Sequence, residues 1–337
     1  MTQWSDLPVH MRNEGINIKW IANDNRPGDW HIGGFREGNE GAIITGNVKG
    51  LVHVPFKGIW HEPAYGPPRF ERTVDERREI SMRVTLMSDS SFGWFDTESR
   101  WWDGMTADQP GYLSVFTHHK GELYLPLQLV DAVESDFEDD PTNDGFNAHE
   151  WDILLAADGE PRFRAPDLRP SEWFNDMTIT KEIKRDDEKL SPKIEVGVGK
   201  LKVANRGTQR AWPIYTVTAP GRCWLPNGMT GEMIRVPPLN KGEHVTIDTN
   251  PEHRIAISDM DPRDTFLNQR IRSSELLRWL FGQDSAEPGV SILERFHGQG
   301  FDVPIEPNSM AILPVYHSQP GARISVRLPQ VYERPIS

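Results

Sequence analysis

Residues Arg77 to Ser88 read RREISMRVTLMS, and their alternation decides the fold class. Ile80, Met82, Val84 and Leu86 fall on one side of an extended chain, while Glu79, Ser81, Arg83 and Thr85 fall on the other. That is the period-two pattern of a strand buried on one face. Immediately after it, Ser90 to Gly104 (SSFGWFDTESRWWDG) changes period: Trp94, Phe95, Glu98, Trp101 and Trp102 recur at spacings of three, four and seven, which predicts a short amphipathic helix. Its cluster Trp94, Phe95, Trp101 and Trp102 could be a sugar-stacking platform or a protein-docking surface, and the helical spacing favours core packing over either. Two strands follow, Gly111 to Thr117 and Gly121 to Val130, joined by a turn at His118-His119-Lys120. An acidic loop, Asp136 to Gly145, then leads into a strand at Glu150 to Ala156.

Upstream, Gly41 to Pro55 carries β-branched residues interrupted by glycine and predicts a β-hairpin. The first forty-odd residues space Trp4, Trp20 and Trp30 among turn formers, as short strands and an extended arm would. Downstream, Pro161 to Ser191 loses apolar periodicity and marks an interdomain boundary, with one strand around Met177 to Ile183. Alternation resumes at Lys193 to Ala204. It continues through Trp212 to Ala219, Met233 to Val236, His244 to Asp248, Ile255 to Ser258, Ser309 to His317 and Ala322 to Leu328. Short strands bounded by Gly, Pro and Asn are a β-sandwich signature. One helix is expected within it at Pro262 to Phe281, with Phe266, Leu267, Ile271, Leu277 and Leu280 on one stripe, Asp261 as N-cap and Pro262 at the first helical position. The reading is a mainly β chain of two β-sandwich domains, residues 1–165 and 193–337, joined by a linker at 166–192.

Composition fits two folded domains. The chain has 337 residues, above the size at which a single core usually keeps growing. Hydrophobic content is 37% and mean hydropathy −0.57, yet 12 Trp, 14 Phe and 6 Tyr supply apolar area that a disordered chain lacks. A formal net charge of −13 argues against broad binding to nucleic acid or anionic membrane, since both need a positive field. The single cysteine, Cys223, forbids an intrachain disulfide and any multi-cysteine metal site, as fits assembly in a reducing cytoplasm. Met1 to Lys19 lacks the apolar core of a signal peptide, and no run approaches the ~18 apolar residues that span a bilayer.

Motifs that carry chemistry fail on inspection. Asp140 to Trp151 resembles a calcium loop through Asp140, Asp144 and Gly145, but Thr142 holds the third position and Trp151 the twelfth, with Glu150 one residue early. His149-Glu150 opens like a zinc-protease helix but has no second histidine at the required spacing, and His118-His119 has no third ligand nearby. Gly197-Val198-Gly199 lies between alternating strands rather than before a helix, so it is no phosphate loop. Paired carboxylates cannot be located by counting among 50 acidic residues. No catalytic, cofactor-binding or metal-binding residue is assigned, and no cofactor is expected.

Several stretches together resemble a known family. Asn205 to Val217 (NRGTQRAWPIYTV) resembles a strand entry, and Leu239 to Asp248 (LNKGEHVTID) a following element, of siphophage distal tail proteins. Pro304 to Ser309 and Glu333-Arg334-Pro335 look like the end of such domains. Ile80 to Leu86, Trp101-Trp102, Gly111 to Leu129 and Glu150 to Leu155 look like the minor tail proteins of actinobacterial siphophages. The weight lies in the order of these segments along most of the chain.

The resemblance implies a structural virion protein in the tail, not an enzyme. It further implies an N-terminal β-sandwich with a helix that builds a ring, usually of six copies, and a C-terminal galectin-like jelly roll. The ring would join the tail tube to the tail tip, with tail tube, hub and tape measure proteins as partners and no membrane or sequence-specific nucleic acid. An acidic subunit beside a DNA conduit would repel phosphates rather than hold them. Two other readings stand beside this one: a carbohydrate-binding adhesion module, because galectin-like folds can bind sugars, and a glycan-cleaving enzyme using Asp136, Glu138 or Glu150.

Overall fold

The computed structural model describes residues 15–22, 28–131, 133, 140–142, 147–157, 159–182, 193–253, 255–258 and 290–336. Two compact units emerge: Met1–Pro166 together with Val331–Ser337, and Asp167–Gln330.

In the first unit the strands are β1 (Asn17–Ile21), β2 (Asp29–Gly33), β3 (Ala42–Ile44), β4 (Phe56–His61), β5 (Arg69–Asp75) and β6 (Glu79–Met87), then helix α1 (Ser91–Asp103), β7 (Gly111–Thr117), β8 (Gly121–Leu129), β9 (Ala148–Ala157) and β10 (Phe163–Arg164). An antiparallel sheet runs β2-β1-β7-β8-β9-β6-β3, with β10 bridging onto β8. The alternation in β6 does what the sequence dictates: Ile80, Met82, Val84 and Leu86 are all buried, in one core with Leu113 of β7, Leu123 and Leu125 of β8, and Ile153 and Leu155 of the adjacent β9. Helix α1 starts where Ser90 Oγ accepts the Gly93 amide at 3.1 Å, satisfying one of the free donors of its first turn. Its Trp101 meets Trp30 edge to face at 5.2 Å between ring centres. Gly111 is required by packing, because a Cβ there would lie 2.3 Å from the Trp20 ring.

Two expectations in this unit change. The hairpin expected over Gly41 to Pro55 is only the short β3, which pairs with β6 instead of folding back on the next residues. Gly50 explains why the rest does not form a strand: at φ +78° it passes so close to β6 that a Cβ would sit 1.9 Å from the Glu79 carbonyl oxygen. The aromatic helix is also less buried than expected. Trp94 and Trp101 enter the core, but Phe95 is exposed at the edge of the buried stripe, its ring 5.3 Å from that of Trp94.

The second unit holds β11 (Ser171–Phe174), β12 (Ile179–Glu182), β13 (Lys193–Asn205), β14 (Ile214–Val217), β15 (Gly221–Pro226), β16 (Met233–Leu239), β17 (Val245–Asp248), β18 (Ile255–Ser258), β19 (Val290–Ser291), a 3-10 turn at Leu293–Phe296, β20 (Ser309–His317) and β21 (Arg323–Arg327). One sheet has the order β11-β21-β14-β17-β18-β19 and the other β12-β13-β20-β15-β16. Leu201, Val203, Cys223, Leu225, Leu313 and Val315 of one sheet share a core with Tyr215, Val217, Ile247, Ile324 and Val326 of the other, the layering of a β-sandwich. Both β11 and β12 come from the stretch read as linker; β11 is hydrogen-bonded to β21 and β12 to β13.

Gly197 and Gly199, the pair that failed as a phosphate loop, have a packing role on β13. A Cβ on Gly197 would lie 1.8 Å from Asn175 Oδ1, and one on Gly199 2.3 Å from the Trp173 ring. A last strand, β22 (Val331–Tyr332), pairs with β10, so the second unit is inserted between two adjacent strands of the first. The helix expected at Pro262 to Phe281 lies outside the described residues, as do Trp4, Asp136, Glu138, Asp144 and Gly145.

Candidate assembly surface

Strands β4 and β5 pair with each other and, among the described residues, with no other strand. Every residue of β5 is exposed, and β4 buries none fully. Large apolar side chains are among them: Phe56 is 64% exposed, Trp60 59%, Phe70 55% and Tyr65, in the turn, 95%. An isolated two-stranded ribbon is marginal in water, and exposed apolar area of this kind marks an interaction site.

The register sorts the side chains onto two faces. Phe56 opposes Asp75, Gly58 opposes Thr73 and Trp60 opposes Phe70, so these share one face. Trp60 and Phe70 meet edge to face at 5.4 Å, and a Cβ on Gly58 would come within 3.2 Å of Trp60 and 3.7 Å of Phe70, so both rings lie over that glycine. The other face holds Lys57 opposite Val74, Ile59 opposite Arg72 and His61 opposite Arg69. Glu71 is the extra residue of a bulge between these pairs. One face is therefore aromatic and the other largely cationic. None of Lys57, Arg69 and Arg72 makes an ion pair with a described residue.

The base of the ribbon is tied down while the tip is not. The Glu76 amide donates to the Pro55 carbonyl at 2.9 Å. Arg162 forks to Asp75 at 2.5 Å, Glu160 at 2.9 Å and Glu333 at 3.2 Å, joining the end of β5 to the segments around β10 and β22. Beside it, the fully buried Arg78 guanidinium donates to the carbonyls of Gly50, Leu51 and Pro161 and stacks 4.8 Å from the Phe163 ring. Burial pushes Arg78 down to about 10, with Glu333 pulling the other way.

The residues singled out in the sequence fall elsewhere. Asp140 Oδ1 accepts from the Thr142 amide and hydroxyl, a local turn, and Glu150 is exposed on β9, 3.6 Å from Arg83. Trp151 is buried with its ring 5.0 Å from that of Trp102. His118 and His119 form the turn between β7 and β8 with rings 6.0 Å apart. Among the described residues no group of three or more His, Cys, Asp or Glu side chains could hold a metal ion, and no helix is long and apolar enough to cross a membrane. Cys223 is fully buried, and burial raises its thiol. In the second unit a hollow of about 550 Å³ is lined by Asp248, Asn250, Phe296, Gln299, Phe301 and Asp302 among others.

Sequence reasoning missed the ribbon, and physically it had to. A strand with neither face buried has no apolar alternation to read. The available signal was aromatic residues at 56, 60, 65 and 70 flanking a turn rich in proline and glycine (Pro63, Gly66, Pro67, Pro68).

No family model matches the chain, and no curated protein matches it in sequence. Among solved structures it is similar to SPP1 Dit (gp 19.1), "a paradigm of hub adsorption apparatus in Gram-positive infecting phages": TM-score 0.52 at 10% identity, over 94% of this chain and 99% of that one. It is also similar to a chain of the phage p2 baseplate in its activated conformation with Sr, with TM-score 0.50 at 11% identity, over 93% of this chain and 98% of that one. The likeness defines a class by fold: mainly β, with the architecture of phage hub and baseplate proteins along nearly the whole chain. Within that class the SPP1 likeness is to a Dit protein, the fold that the ordered motifs led us to expect.

Proposed function

We propose that this chain is a distal tail subunit, a structural virion protein that closes a ring between the tail tube and the tail tip. The observation that carries this reading is the fold likeness to a hub protein over both units, not to a single module of it. The ribbon gives it physical content, since a subunit made for repeated contact needs apolar surface that its own fold leaves uncovered. On this reading the first unit builds the ring, the second is a galectin-like decoration, six copies close the circle, and tail tube, hub and tape measure proteins are its neighbours. The chain then serves as a structural part, with no bond made or broken.

Light scattering on the full chain tests it. The expected result is a defined multiple of the 38.5 kDa protomer, with annular particles in negative stain. A monomer at every concentration, with no annular particle, would refute it.

A second reading has one observation in its favour. The hollow near β17 and β18 combines the Phe296 and Phe301 rings with Asp248, Asn250, Gln299 and Asp302, and its volume of about 550 Å³ suits a small neutral ligand such as a saccharide unit. Glycan-array binding that disappears in Phe301→Ala would support an adhesion role; a blank array would remove it.

A further inference from the structure

The ribbon carries three fixed cations, Lys57, Arg69 and Arg72, against Glu62, Glu71 and Asp75, so the whole net charge of −13 lies outside it. Asp75 is already engaged by Arg162 at the base. The register gathers the three cations on one face while Trp60 and Phe70 occupy the other. A cationic face on an otherwise strongly acidic chain is complementary to the body of that same chain, and its three cations are exposed and make no ion pair with a described residue.

From this we infer that the ribbon Phe56–Asp75 is an arm received by the acidic surface of a second copy of this chain, its cationic face setting partner choice and its aromatic face supplying the apolar contact. The inference rests on the ring reading above and names the contact that would close the ring. Charge complementarity across such a contact speeds encounter and discriminates against wrong partners, while desolvated aromatics hold the complex together. Duplex DNA fits less well, because a ribbon with equal numbers of positive and negative charges on an acidic chain offers phosphates no net attraction.

The test uses the full chain. A photo-crosslinking residue replacing Tyr65 at the tip is expected to join two copies, with the crosslinked peptide coming from the partner. Lys57→Glu/Arg69→Glu/Arg72→Glu is expected to weaken assembly about a hundredfold in light scattering and to flatten its salt dependence. Trp60→Ser/Phe70→Ser is expected to weaken assembly about as much while leaving the salt dependence in place. Thermal unfolding of each variant should match the wild type, since these side chains are exposed within one copy; Lys57→Gln/Arg69→Gln/Arg72→Gln repeats the test where charge reversal disturbs folding.

If both sets of variants still form wild-type rings, or if Tyr65 crosslinks only within its own copy, the arm assignment is wrong although the ring reading survives. A wild-type chain that never leaves the monomer sinks both. Retention of duplex DNA by the wild type, lost on charge reversal while assembly is unaffected, assigns the cationic face to nucleic acid and overturns the inference.

Discussion

Replacing Gly197 by alanine should cost the second unit a large share of its stability, although the change adds one methyl group. The new Cβ would stand 1.8 Å from Asn175 Oδ1 and 2.3 Å from its Cγ, distances no packed structure tolerates. Asn175 cannot retreat freely, because its Nδ2 donates to the carbonyls of His317 at 3.0 Å and Gln319 at 2.7 Å, and its residue is buried. Overpacking alone costs about 1–3 kcal/mol. Losing these two hydrogen bonds, the one to His317 buried and the one to Gln319 partly so, adds roughly 1 kcal/mol each, and more where the carbonyl finds no other donor. We therefore expect a loss of about 3–5 kcal/mol, against the ~5–15 kcal/mol of a typical domain. Hydrogen exchange of β13 and β20 peptides reads the second unit separately from the first, and urea titration gives the midpoint. Gly300→Ala is the control: nothing lies within 4 Å of a Cβ there, so the change should stay within ~0.5 kcal/mol. If Gly197→Ala is as benign as Gly300→Ala, the close approach of Asn175 to β13 is not what places glycine at 197.

Other expectations follow from the same contacts. Arg78→Leu leaves the carbonyls of Gly50, Leu51 and Pro161 without their charged donor and should lower the first unit's stability by about 3 kcal/mol or more in urea, a result inconsistent with a shift below ~1 kcal/mol. Ser90→Ala removes the acceptor for the Gly93 amide and should cost about 1 kcal/mol, with Ser90→Asp restoring most of it. Burial holds the His317 imidazole below its ordinary value, against the opposing hydrogen bonds with Thr218 and Gln319, so its folded state takes up a proton less readily than the unfolded chain. Its contribution is thus complete above the unfolded value near ~6.5 and drains away as pH falls below it. The second unit of the wild type should lose stability more steeply in that window than His317→Gln, and equal slopes in the two proteins would contradict this assignment.

How much was legible depended on which faces were buried. Strand β6 could be read residue by residue because one side is core and the other water, and β20 likewise alternates from Ser309 to His317. Helix α1 was visible in its aromatic spacing, but not the outward turn of Phe95, since spacing alone does not say how wide the buried stripe is. β15 escaped notice because Cys223, Trp224, Leu225 and Pro226 are buried in succession rather than alternately. The ribbon escaped for the opposite reason, being buried on neither side. What stood out in the sequence as candidate chemistry, the Gly-Val-Gly pair and the Asp140 turn, records close packing and local hydrogen bonding instead.

The pairing of β10 with β22 has a practical meaning for anyone dissecting the molecule. Because the chain leaves the first unit after Pro166 and re-enters it at Val331, cutting once at either point strands a piece of one fold on the other. The second unit behaves instead as a cassette whose two ends are held by neighbouring strands, the arrangement in which one module can be excised, exchanged or enlarged while its host closes behind it. Joining 166 to 331 through a short turn should yield a free-standing host, and transplanting 167–330 into another such host should carry its fold intact.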